Sequence, residues 1–134
     1  MRKGALKQFE TVNEVLNKDD LKELKDELSK IHIDSKIEEY MVELITATRE
    51  PEKFNLNISQ DLMYGASPRA SIDLYKASRA KAFLRGNDFV TPADIGYVIH
   101  DVLRHRVVLS YEARAKGVTS DELISKIIET IHIP

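Results

Sequence analysis

Helix-opening signatures recur along the chain and leave little room for any other secondary structure. Asn17 with Asp20, Ser35 with Glu38, Ser67 before Pro68, Thr91 before Pro92 and Asp94, and Thr119 with Glu122 are all helix-start patterns. In each, a short polar side chain can accept from the free N–H groups of a first turn, or a proline stands where its missing N–H is harmless. An apolar series at helical spacing follows each signature. The series are Leu21, Leu24, Leu28 and Ile31; Ile37, Tyr40, Met41, Leu44, Ile45 and Thr48; Ala70, Leu74, Ala77 and Leu84; Ile95, Val98, Ile99, Val102 and Leu103; and Leu123, Ile124, Ile127, Ile128 and Ile131. Pro51 stops the second near Arg49, and Gly86 closes the third as a left-handed residue. Residues 110–116 read as a short helical turn ended by Gly117, and Val90 with Ile95 occupies hydrophobic-staple positions. No stretch sustains a period of two. The expected fold is all-α, a compact bundle of four main helices plus short helical turns.

Two segments escape this pattern. Residues 1–16 form an irregular lead-in, whose Phe9, Val12, Val15 and Leu16 have no clean period, with 1–7 as an arm. Residues 50–66 form a long loop whose Phe54, Leu56, Ile58, Leu62 and Met63 are too apolar for a free linker. Some of these side chains are expected to tuck against the body, and a loop of this length in a compact domain is often functional.

Several chemistries are excluded by what the chain lacks. Its 134 residues suit one domain with a sizeable core. It has no cysteine, hence no disulfide, thiolate metal site or thiol nucleophile. His100 and His105 are five apart, which does not set two imidazoles on one helix face, and His32 and His132 stand alone. There is no Gly-x-Ser-x-Gly elbow and no phosphate-cradling P-loop. A self-standing enzyme therefore has no support. No uncharged run exceeds seven residues, so no transmembrane helix or signal-peptide core is expected, and the cytoplasm is the expected address.

Charge is uneven. Residues 18–50 carry ten acids and six bases, a net of −4; residues 69–106 carry seven bases and four acids, a net of +3. The basic segment includes Lys76, Arg79, Lys81 and Arg85, which either face a partner surface or are ordinary solvated positions. With an overall net charge of −2 and no bases gathered on one short helix, nucleic acid is not an expected partner.

Arg69 is the position out of keeping with its surroundings. It falls in the first turn of the third helix, where the helix dipole and free N–H groups already present positive charge. A cation there costs about 0.3–1 kcal/mol if nothing compensates it. An anion, phosphate above all, would be well held by the same arrangement, with Ser67 and Pro68 shaping the helix start and Gly65 and Ala66 letting a ligand near the backbone. The competing reading is an arginine that curls back to a loop carboxylate such as Asp61, or points into water.

The run Gly65-Ala66-Ser67-Pro68-Arg69-Ala70-Ser71 resembles the sensor 2 motif of the MoxR family of AAA+ ATPases. The likeness continues through Arg79-Ala80-Lys81-Ala82, the segment Gly86-Asn87-Asp88-Phe89-Val90-Thr91-Pro92-Ala93-Asp94-Ile95, Val102-Leu103-Arg104-His105-Arg106 and Gly117-Val118-Thr119. Upstream, residues 12–16, the first two helices and Ala47-Thr48-Arg49 are similar to the start of that family's helical lid. The resemblance implies an α/β core that binds ATP and Mg2+, followed by an all-α lid. On that basis residues 1–16 lead in from a core missing from this sequence, 17–134 are the lid, and Met1 is a new start. It further implies that Arg69 reads the nucleotide phosphates, with no catalytic residue and no metal ligand in the lid itself. Homo-hexameric rings, chaperone-like remodeling and von Willebrand factor A domain partners are family properties that the resemblance brings with it. The loop at 50–64 is longer than the family's usual connection. The alternative is a stand-alone helical protein- or nucleic-acid-binding module without ATPase activity.

Overall fold

The structure, a computed structural model, describes residues 11–134. Most of the expected lead-in therefore lies outside the described residues; its described part, 11–16, has no regular structure, with Val12 and Val15 exposed. Six α-helices follow: α1 Lys18–Lys30, α2 Ser35–Ala47, α3 Arg69–Leu84, α4 Pro92–Leu103, α5 Tyr111–Ala115 and α6 Ser120–Thr130. Helices α2, α3, α4 and α6 carry the core, α1 has no buried residue, and α5 is barely more than one turn. The all-α bundle expected from the sequence is thus the observed architecture.

The capping chemistry explains where the helices begin. Asn17 Oδ1 accepts from the Asp19 and Asp20 N–H groups at 2.8 and 3.0 Å, and Asp20 accepts in return from Asn17 N–H at 2.8 Å. Thr119 and Glu122 exchange the same pair of bonds at α6. At α2 the cap is Asp34, one residue before the expected Ser35, and it accepts from Lys36 N–H at 2.9 Å. Asp34 wins because its ionised oxygen is a stronger acceptor than a hydroxyl at the positive end of the dipole. Gly86, at φ +76°, lets α3 close with Asn87 N–H bonding back to Ala82 O at 3.0 Å.

Packing corrects the expected face of α3. Leu84 is 79% exposed and does not join the core. The buried row is Ala70, Leu74, Ser78 and Ala82, at strict four-residue spacing. Three of these four side chains are small, which lets α3 lie close to α2 and α4. The interior is then filled by Leu44 and Ile45 of α2, Ile95, Ile99 and Leu103 of α4, and Leu123, Ile124 and Ile127 of α6. Val90 and Ile95 are both buried, as a staple requires.

The 50–66 segment is more ordered than a loop. Pro51–Phe54 forms a 3-10 turn, and Leu56 and Ile58 are buried in the core, whereas Met63 is exposed. Leu62–Tyr64 (β1) pairs antiparallel with Val108–Leu109 (β2), a two-stranded ribbon not foreseen from the sequence. Strands of two and three residues are too short to display a period.

One buried carboxylate ties α3 to α4. Asp94 is fully buried and accepts from Thr91 N–H at 2.9 Å, from the Thr91 hydroxyl at 2.8 Å and from Arg85 at 2.9 Å. Buried Ser78, by contrast, has a hydroxyl with no partner among the described residues. Asp94→Ala should lower unfolding free energy by about 2 kcal/mol through loss of the cap and of a charged partner, read by urea denaturation of the chain. Ser78→Ala, which removes an unpaired buried hydroxyl, should leave stability unchanged or raise it by up to about 1 kcal/mol in the same assay.

Candidate functional site

Thr48 is where the site is assembled. Its side chain is fully buried at the end of α2, donates to Ile45 O at 2.7 Å and accepts from Ala66 N–H at 2.9 Å. That second bond spans 18 positions and joins the end of α2 to the approach to α3. Gly65 makes the approach possible. A Cβ there would overlap the Thr48 carbonyl oxygen and sit 2.8 Å from Arg49 Cγ. Glycine is required here for space.

From this stitch the chain turns directly into α3. Pro68 has helical dihedrals, φ −55° and ψ −25°, and Ala70 N–H bonds to Ser67 O at 2.8 Å. No side chain caps this start, so Ser67 shapes it through its backbone and not through its hydroxyl. Ser67, Pro68 and Arg69 are all exposed. Among the described residues, no carboxylate lies within ion-pair distance of Arg69, Asp61 included. The arrangement is a free guanidinium at an uncapped helix start, which can take an anion.

The other bases of the +3 segment are mostly engaged within the fold. Arg79 donates to Ile31 O at 3.0 and 2.8 Å and to Ser29 O, closing the C-terminal end of α1, and stacks 5.3 Å from the Tyr75 ring. Lys81 sits 3.3 Å from the centre of the Tyr97 ring. Arg85 holds Asp94, Arg104 holds Asp101 and Asp121, and Arg106 holds Asp73 at 2.6 Å. Of that segment only Arg69 and Lys76 stand exposed without an internal partner among the described residues. Neighbouring acids are occupied as well: Glu50 pairs with Lys53, and Ser59 donates to Glu52, which holds the Glu52 carboxyl below its usual range.

Beside α3's first turn runs a shallow apolar groove of about 230 Å³ between α2 and α3, walled by Met41, Val42, Ile72 and Tyr75 with Glu38 and Ser71 at its edges. Val42 and Ile72 are half exposed in it. Among the described residues no group of three or more histidines or carboxylates is placed to hold a metal ion. No described helix is long and apolar enough to cross a membrane. The stitch beneath Arg69 is not foreseen from the sequence. The available signal was Thr48, a polar residue ending an otherwise apolar helical stripe.

Residues 55–127, more than half of the chain, match the AAA lid domain family. The chain belongs to that family. The lid is 36% identical over 122 residues to chaperone MoxR1 of Mycobacterium tuberculosis, covering 90% of this chain and 32% of that protein. It is 37% identical over 105 residues to protein MoxR of Methylorubrum extorquens, covering 73% and 30%. A crystal structure of a candidate ATPase from Cytophaga hutchinsonii superposes with a TM-score of 0.84 at 38% identity, covering 87% of the lid and 36% of that chain. The lid thus spans about a third of the length of these relatives, and the resemblance to MoxR-family lids drawn from the sequence holds.

Because Gly65 leaves no room for a side chain, Gly65→Ala should cost the lid about 2–3 kcal/mol. Arg69→Ala should stay within about 0.5 kcal/mol of the parent, since nothing internal depends on that guanidinium. Thermal and urea unfolding of the two variants would check both.

Proposed function

We propose that this chain is the sensor 2 lid of a MoxR-type AAA+ ATPase, in which Arg69 contacts the terminal phosphate of ATP held by an α/β core. The observation that carries this reading is Arg69 itself: exposed, without an acid partner, at an uncapped helix start, inside the run that resembles the sensor 2 motif. The phosphate supplies the negative charge; the lid supplies a guanidinium fork at the positive end of the α3 dipole, which fits it. In this reading Mg2+ is held by the core and the phosphates.

The lid's part in turnover follows from this contact. While the terminal phosphate is present, Arg69 bonds to it and the lid is held against the core. Once that phosphate has left, the differential contact is lost and the lid is released to rotate. The motion is transmissible because α2 and α3 are stitched at Thr48 and α3 and α4 at Asp94, so these three helices move as one body. The half-exposed apolar face at Val42 and Ile72 lies beside Arg69, where a closing core would cover it.

The relatives extend the proposal to the whole protein. On the resemblance to the MoxR family we extend the proposal to a ring of six ATPase subunits, chaperone-like remodeling of client proteins, von Willebrand factor A domain partners and a cytoplasmic address. Nucleic-acid binding is disfavoured because most bases of the positive segment are engaged internally.

The test is Arg69→Ala in the complete ATPase chain that carries this lid. Losing a charge-assisted bond to phosphate should reduce ATP turnover roughly ten- to hundred-fold with the melting temperature preserved. Unchanged turnover and nucleotide affinity would overturn the sensor reading.

A further inference from the structure

Three exposed arginines of the described residues, Arg49, Arg69 and Arg114, lack an ion-pair partner among those residues. Two of them emerge from the same corner. Arg49 follows buried Thr48 directly, and its Cγ lies against Gly65, 2.8 Å from where a Cβ would stand. The aliphatic stem of Arg49 is therefore laid over the backbone that leads into α3. Arg69 is four residues further on, and those four residues include a helical turn closed by the Ala70 N–H bond to Ser67 O. Even fully extended they would span only about 14 Å. Arg49 and Arg69 thus rise from one corner of the lid, where the end of α2 meets the start of α3.

The local acids do not oppose this. Glu50, next in sequence to Arg49, is paired with Lys53, and Glu52 accepts from Ser59. Two unneutralised cations at one corner repel one another, so the fold gains nothing from them by itself. The repulsion turns into attraction once a polyanion with more than one charged oxygen sits between them.

We propose that Arg49 is the second arm of the phosphate grip, holding the triphosphate tail from the α2 side while Arg69 holds it from the α3 side. This rests on the sensor reading of Arg69 and extends it from one contact to a two-point clamp. A clamp has a consequence that a single arginine lacks. Two arms need charge on adjacent phosphates, so loss of the terminal phosphate removes one anchor and leaves the other without its counterpart. Discrimination between triphosphate and diphosphate is then steeper than one arginine gives.

The experiment uses the complete ATPase carrying Arg49→Ala, Arg49→Lys, Arg69→Ala or the charge control Lys22→Ala on α1. Affinities for fluorescent ATP and ADP analogues are measured together with melting temperatures. Arg49→Ala should weaken ATP binding about tenfold or more and ADP binding clearly less, at unchanged melting temperature. Arg49→Lys should recover part of the loss, and Lys22→Ala should do nothing. Loss in Arg69→Ala with none in Arg49→Ala overturns the clamp and leaves the sensor reading standing. Loss in neither overturns both. An Arg49→Ala effect equal for ATP and ADP, with a lowered melting temperature, marks a structural role and also overturns the clamp.

Discussion

A single hydroxyl at the end of α2 decides how this lid presents its charges. Thr48 Oγ1 accepts the Ala66 N–H inside the core, where no water can substitute for it. An unpaired buried amide would cost about 1–3 kcal/mol, so the bond holds the two segments in one register. Gly65 lets the backbones come close enough for the bond to form. The helix that opens three residues after Ala66 then has no freedom in where its first turn points. Arg69 is exposed in its side chain but fixed at its base.

The electrostatics of the domain follow a division of labour. Most bases of the positive segment are used up inside the fold, on the open carbonyls of α1, on buried Asp94, on Asp73 and on the ring of Tyr97. Each such partner fixes a helix against its neighbour. An arginine committed in this way cannot also reach an outside anion without orphaning its partner. The +3 balance of the segment thus overstates the cationic surface, and the free charge narrows to a few side chains. Of these, Arg69 stands where the end of α2 meets the start of α3, and the α3 N-terminal dipole adds to it.

The sequence was most legible where one residue's chemistry is enough to set local structure. Asn17, Thr119 and Gly86 act through their own side chain or its absence, and the helices begin and end as their patterns imply. Legibility fell where a second segment decides. Leu84 looks like a core residue by type, yet the row that fits against α4 advances by four, and Leu84 lies off it. Ser35 looks like a cap until Asp34, one residue earlier, competes for the same N–H groups. The β1–β2 ribbon depends on partners more than forty positions apart and on strands too short to carry a pattern. Arg69 stood out because a cation at a helix start breaks a local rule, whereas Arg49 breaks none. Only the contact of its stem with Gly65 shows which way it leans.

Rigidity and exposure are supplied by different residues, and this is what a lever needs. If Arg69 were held by an internal acid, its position would be better defined but its charge would be spent. If the helix beneath it were loosely packed, an outside anion would pull the first turn and not the body. Here the fully buried row Ala70, Leu74, Ser78 and Ala82 anchors α3 along its length, while the residue at its opening is left to solvent. Force applied at that residue is resisted by the whole α2–α3–α4 packing. In the proposed mechanism, a contact worth one or two charge-assisted bonds at that residue therefore acts on the domain as one body, because deforming the core would cost more than rotating it.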